Sequence, residues 1–200
     1  ELKENENWEI NPDRLKKLVD KKKTHGIIIN TPSNPLGSVL SKSIIEEIAD
    51  IAVENDLWIF ADEAYEKLIY DKKHISIGSL NGMEEYVVTY HTFSKSYAMC
   101  RYRLGYAVGP ENLINAMTKV SHYVTLSAPT ISQLVGVKAL SISNKYIEDM
   151  RKEYDRRRRF IVKRLNEIGL HTKMPYGAFY TFSNIKQLSK NSYKFAQELL

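Results

Sequence analysis

The chain predicts an α/β fold: a mostly parallel sheet flanked by helices, with the start of a smaller α+β domain after it. Short apolar runs rich in β-branched residues alternate with amphipathic helical patterns, the links between them are short, and turn residues cluster where each strand would end. Its 200 residues are enough for one good core, or for one domain and part of a second. The expected division is 1–143, part of a large ligand-binding domain, and 144–200, an interdomain helix with part of a small domain.

Each element has its own signal. Residues 1–11 read as irregular and look like the middle of something longer, since they open without Met or a cap. Pro12 starts a short helix to about residue 19. Residues 26–30, G-I-I-I-N, form a continuous apolar run, the mark of a strand covered on both faces. A turn cluster fills 31–37. Ser41 then caps a helix in which Ile44, Ile45, Ile48, Ile51 and Ala52 recur at helical spacing. Residues 57–61 form a second buried-type strand that ends in Asp62-Glu63-Ala64-Tyr65. Residues 86–90 form a third, ending at the loop that holds Lys95, and 104–109 a fourth.

Pro110 opens a helix to about 122, and Pro129 another to about 142. A long helix over 145–168 carries Tyr146, Ile147, Met150, Tyr154, Ile161, Leu165 and Ile168 on one side. An extended piece over 170–174, a strand over 178–183 and a helix from about 188 complete the chain.

Composition excludes several classes. No apolar run approaches bilayer length, and the acidic, polar first residues lack a secretory signal, so a cytoplasmic protein is expected. Cys100 is the single cysteine, which rules out an intrachain disulfide framework and a CxxC metal site; it reads as a small buried residue. The net charge of +5 is modest. Only the four arginines at 156–159 are dense enough to attract nucleic acid. Four consecutive residues spread around more than a helical turn, so they read as a solvated face salt-bridged to Glu148, Glu153 and Asp155.

The chemistry gathers at strand ends, where open α/β sheets bind ligands. Asn34, Asp62 and Lys95 all fall there. A lysine becomes a nucleophile when apolar walls or other cations lower its pKa, and Thr92, Ser94 and Arg103 beside it form a plausible anion site. Asp62 and Tyr65 leave the same strand and can face one ligand. A carboxylate at a covered strand end is costly without a positive partner, so Asp62 should have one. Simpler readings stand beside these: Asn34 before Pro35 fits a turn residue, Tyr65 a core tyrosine, His91 a structural residue, and Glu63 a solvated or paired one. Pyridoxal 5′-phosphate is the cofactor that needs the whole set, because it requires a lysine for its aldehyde, a partner for its ring nitrogen and an anchor for its phosphate.

N-T-P-S-N-P-L-G (30–37), A-D-E-A-Y (61–65), T-F-S-K-S-Y-A-M (92–99), R-L-G-Y (103–106) and P-Y-G-A-F-Y (175–180) occur in this order. Together they resemble the motif set of the fold-type I, class I/II aminotransferases, the aspartate aminotransferase family. The resemblance implies a pyridoxal-phosphate enzyme exchanging an amino group between an amino acid and a 2-oxo acid, as a homodimer. It implies that Lys95 forms the internal aldimine and shuttles the proton, and that Asp62 keeps the pyridinium protonated. Tyr65 and Asn34 would bond the phenolic oxygen, while Thr92, Ser94 and Arg103 would hold the phosphate. Arg101-Tyr102 stand where the family often has Gly-Trp, which makes Arg101 a further phosphate candidate. The family's glycine-rich phosphate loop, ring-stacking aromatic and carboxylate-binding arginine match nothing here. A lyase of the same fold, or the aminotransferase-like effector domain of a regulator, would share these motifs.

Overall fold

The computed structural model describes residue 2 and residues 8–200; the rest of the stretch read as irregular, residues 1 and 3–7, lies outside them. Helix α1 (Pro12–Leu18) begins with proline after Asn11, whose side chain accepts the Arg14 N–H. Strand β1 (Gly26–Asn30) leads through the 31–37 turn to α2 (Lys42–Glu54), which Ser41 caps by accepting the Ile44 N–H. Then come β2 (Trp58–Asp62), β3 (Val87–Thr92), the one-turn helix α3 (Phe93–Ser96) and β4 (Gly105–Val108). Helices α4 (Glu111–Thr125), α5 (Thr130–Leu140) and α6 (Asn144–Glu167) follow. The two-residue strands β5 (His171–Thr172) and β6 (Ser183–Asn184) and helix α7 (Ser192–Glu198) complete the chain.

The main sheet runs β1-β2-β3-β4, with β1, β2 and β3 parallel and β4 antiparallel to β3. Its register sets Asn30 beside Asp62 and Asp62 beside Tyr90, so the carboxyl ends of three strands are level. Helix α2 buries Ile45, Ile48, Ile51 and Ala52 against Ile27, Ile29, Ile59 and Ala61. That apolar contact is the main core, and it fixes one face of the sheet.

Several expectations are corrected. β1 is covered on one face only: α2 packs over Ile27 and Ile29, whereas Ile28 points the other way and is 81% exposed. Residues 178–182 are not a strand. The backbone there is held by turn carbonyls instead of a ladder: Tyr176 and Gly177 N–H donate to Gly37 O, Ala178 N–H donates to Leu68 O, and Ala178 itself turns with φ 60°. Helix α7 starts at Ser192, where Asn191 accepts the Lys194 N–H, and not near 188. Cys100 is exposed, because its Sγ–H reaches back to Ser94 O at 3.1 Å from a surface 3₁₀ turn, Cys100–Tyr102.

Helix α6 buries Ile147, Arg158 and Val162, while Tyr146, Ile161 and Ile168 of the expected stripe are exposed. Of the ion pairs expected for the arginines at 156–159, those with Glu153 and Asp155 form, whereas Glu148 pairs with Arg151 and Lys152 instead. Arg158, however, is not on a solvated face. Only 5% exposed, it donates to Asp71, Asp155 and the Pro175 carbonyl, and its guanidinium lies 4.6 Å from the Tyr70 ring centroid. One arginine thus ties α6 to two distant segments.

Arg158→Leu removes several charge-assisted bonds at once and should cost about 2–3 kcal/mol of stability. Arg156→Leu, which breaks only an exposed pair with Glu153, should leave the urea midpoint nearly unchanged. Equal midpoints for the two variants would remove Arg158 from its anchoring role.

Candidate active site

Asn34 sits in the turn after β1, its side chain exposed and its N–H donating to Asn30 Oδ1 at 2.6 Å. Asn30 Nδ2 in turn donates to the Asp62 carbonyl at 3.3 Å. One amide therefore ties the Asn34 turn to the end of β2. The turn closes on Gly37, which has φ 64° and whose N–H donates to Ser33 O. A side chain at Gly37 would put its Cβ 2.4 Å from Pro175 Cβ, and one at Gly177 would come 2.6 Å from Pro32 Cβ. Two glycines let segment 175–180 lie directly on the turn.

Asp62 is exposed at the end of β2, and its Oδ1 accepts the Ala64 N–H at 3.1 Å. The positive partner expected for it is missing: among the described residues, no lysine, arginine or histidine reaches it. Solvent exposure removes the desolvation cost that required one. Tyr65 is 3% exposed, packed edge-on against Phe179 and Tyr180, with its hydroxyl bonded to that of Tyr180 at 2.5 Å. Burial pushes its phenol above the ordinary value, so it stays protonated.

Lys95 is half-buried on α3. Its Nζ stands 5.7 Å from the Tyr65 ring centroid and 5.3 Å from that of Phe179, with no carboxylate of the described residues in ion-pair range. Thr92 Oγ1 caps α3 by accepting the Ser94 N–H at 3.1 Å, and donates to Leu104 O at 3.4 Å, so its hydroxyl is engaged locally. Ser94 is buried. Arg103, with left-handed backbone at φ 49°, donates Nη1 to Cys100 O at 3.1 Å and to Ser94 Oγ at 3.5 Å. Ser94 and Arg103 thus meet as an anion site would require, while Arg101 is exposed beside them.

Glu63 is buried and paired, with Oε1 accepting from Ser76 at 2.7 Å and Oε2 3.1 Å from His74 Nε2. His91 stacks on Tyr106 with ring centroids 4.9 Å apart, and its Nδ1 lies 3.5 Å from Glu66 Oε1. The Glu66 carboxylate raises the His91 pKa, with burial opposing. For Glu66, burial alone would raise the pKa, but His91 and Lys67 hold it below the usual value. These pairs brace the strand ends behind the open Asp62 and Lys95.

Asn30 and the wall formed by Phe179 and Tyr180 belong to the site without having been singled out in the sequence. Asn30 looks like any polar residue closing a strand. Phe179 and Tyr180 lie in a recognised motif, yet nothing local says that they fold back on residues more than eighty positions earlier.

A family model described as aminotransferase class I and II matches residues 1–200. The chain belongs to that family. It is 49% identical over 200 residues to an aspartate aminotransferase of Pyrococcus abyssi, a match covering 98% of this chain and 51% of that one. It is 44% identical to aromatic-amino-acid aminotransferase 2 of Thermococcus litoralis, again covering 98% and 51%. Among solved structures, the aromatic aminotransferase from Pyrococcus horikoshii OT3 superposes with TM-score 0.94 at 46% identity, covering 99% of this chain and 54% of that one. Aspartate aminotransferase from Thermus thermophilus with maleate gives 0.94 at 33%, covering 98% and 52%. The chain spans about half the length of the curated relatives it matches. The family is pyridoxal-phosphate dependent.

Because its folded pKa is raised, His91 stabilises the fold fully below its ordinary value of 6.5, and this contribution fades as pH rises through the raised value. Glu66→Gln should lower the His91 pKa and move that loss of stability to lower pH. An NMR titration finding His91 unchanged in the variant would sink the pairing.

Proposed function

We propose that this chain is the central part of a pyridoxal-phosphate-dependent aminotransferase exchanging an amino group between an amino acid and a 2-oxo acid. One observation carries the reading. At adjacent strand ends, an exposed carboxylate, Asp62, and a lysine amine walled by aromatic rings, Lys95, both lack an ionic partner among the described residues, whereas Glu63 and Glu66 are paired. A donor set of this kind fits a ligand that offers a cationic ring nitrogen to one and an aldehyde to the other.

Pyridoxal phosphate, when bound, supplies an electron sink that makes the substrate Cα–H acidic. Lys95 Nζ would hold the cofactor's aldehyde, and its amine is the group placed to move the substrate Cα proton. Asp62 keeps the proton on the ring nitrogen. Tyr65 and Asn34 donate to the phenolic oxygen. Ser94 and Arg103 hold the phosphate, with Thr92 ordering the loop through its cap and reaching the phosphate only if its hydroxyl turns from Leu104. Residues 1–143 then form part of the large domain, and 144–200 the interdomain helix with part of the small one. The relatives' names make aspartate and aromatic amino acids the first substrates to try.

A cytoplasmic homodimer completes the proposal. Exposed Tyr123, Val124 and Leu126 at the end of α4, with Leu134 and Val137 on α5, support an apolar face covered by further protein. Among the described residues, no helix is long and apolar enough to cross a membrane.

Adding pyridoxal phosphate to the purified protein and reducing with borohydride should place the pyridoxyl group on Lys95 by peptide mass spectrometry, and Lys95→Ala should abolish it. Label scattered over many lysines would overturn the assignment. Arg103→Ala should weaken cofactor affinity by about 1.5–3 kcal/mol, the value of a charge-assisted bond. Unchanged affinity would move the phosphate role to Arg101.

A further inference from the structure

Tyr65 has one hydrogen to give and few groups to take it. Its ring is walled by Phe179 and Tyr180, and the Tyr180 hydroxyl is its hydrogen-bonding partner among the described residues. A bond between two phenols runs in one direction at a time. If Tyr65 donates to Tyr180, it has no hydrogen left for a ligand. If Tyr180 donates to Tyr65, the Tyr65 hydrogen is free, and a hydroxyl that accepts one bond becomes a stronger donor of the next.

We propose that Tyr180 is a positioning residue: it donates its hydroxyl hydrogen to Tyr65 and so aims the Tyr65 hydrogen at the phenolic oxygen of the cofactor. This role deepens the aminotransferase reading and rests on it. Two features of the fold make the arrangement firm. Tyr180 lies two residues beyond Ala178, the end of a stretch fixed by the donations of Tyr176 and Gly177 N–H to Gly37 O, of Tyr70 N–H to Tyr176 O, of Tyr70 Oη–H to Ala178 O and of Ala178 N–H to Leu68 O. Tyr65 is equally fixed, in an apolar cluster with Leu68 and Ala178. Neither ring can turn far from the other.

A stronger donor at the phenolic oxygen favours its ionised form and so lowers the pH at which the lysine-bound cofactor takes up a proton. Removing the Tyr180 hydroxyl should reverse part of this. The test is a pH titration of the bound cofactor's absorbance in wild type, Tyr180→Phe, Tyr65→Phe and the double variant. Tyr180→Phe should raise the midpoint by about half a pH unit to one unit, the size of one hydrogen bond. In the Tyr65→Phe background it should add nothing. Tyr180→His, which restores a ring donor, should return the midpoint part of the way, and thermal melting without cofactor separates any loss of packing.

An unchanged midpoint in Tyr180→Phe, or an equal shift with and without Tyr65, would each overturn the role of Tyr180. A wild type that takes up no pyridoxal phosphate on Lys95 would instead overturn the functional reading, and this inference with it. That failure shows before any variant is made.

Discussion

The seating of segment 175–180 on the turn after β1 is the contact on which the site depends. It exists because two glycines face two prolines: Gly37 meets Pro175 and Gly177 meets Pro32, with no room for a Cβ at either place. The Gly37 carbonyl then accepts two N–H groups of the segment, and the buried Arg158 guanidinium takes the Pro175 carbonyl. Ordering one residue's backbone costs roughly 1–2 kcal/mol. Several backbone and charge-assisted bonds on a six-residue segment are therefore needed to hold it in one place. Without that seating, Tyr65 loses its hydroxyl partner and Lys95 loses one wall.

The electrostatics around the strand ends are selective. Glu63 is taken up by His74 and Ser76, and Glu66 by His91, so the buried acids are satisfied within the protein. Asp62 and Lys95 have no ion-pair partner among the described residues, and the sheet register sets both at the carboxyl ends of neighbouring strands, where open α/β sheets bind ligands. Neither side chain is committed to an acid or base of the described residues. A ligand that meets both therefore breaks no ion pair within the protein, which lowers the cost of binding.

Much of this was legible in the sequence, for physical reasons that differ between elements. β1 and α2 were clear because apolar period and capping residue agree: Ser41 caps, and Ile45, Ile48, Ile51 and Ala52 all point inward. Asn34, Asp62 and Lys95 were found because strand ends are marked by abrupt changes of residue type. What failed was everything decided by long-range contact. The apolar run at 178–182 has strand composition, but it is led in by Tyr176 and Gly177 N–H bonded to Gly37 O and by Ala178 N–H bonded to Leu68 O, contacts outside any periodic pattern. Arg158 reads as one of four solvated arginines until Asp71 and Pro175 converge on it from far along the chain. Exposure at Ile28 was likewise hidden, since a run of three isoleucines says nothing about which face a helix will cover.

Lys95 shows how the late contact becomes chemistry. Ring faces stabilise an ammonium by about 0.5–2 kcal/mol, whereas apolar surroundings disfavour it, and Tyr65 and Phe179 supply both influences at once. No carboxylate of the described residues lies in ion-pair range of the amine, so a ligand bound there meets Lys95 against its two rings without displacing an acid. Phe179 comes from the segment seated on Gly37, so a ligand that contacts Lys95 and Tyr65 together binds the seated arrangement and stabilises it by mass action. Cofactor affinity and the seating of 175–180 are then two sides of one equilibrium, and a substitution at Gly37, remote from any reacting atom, acts on both.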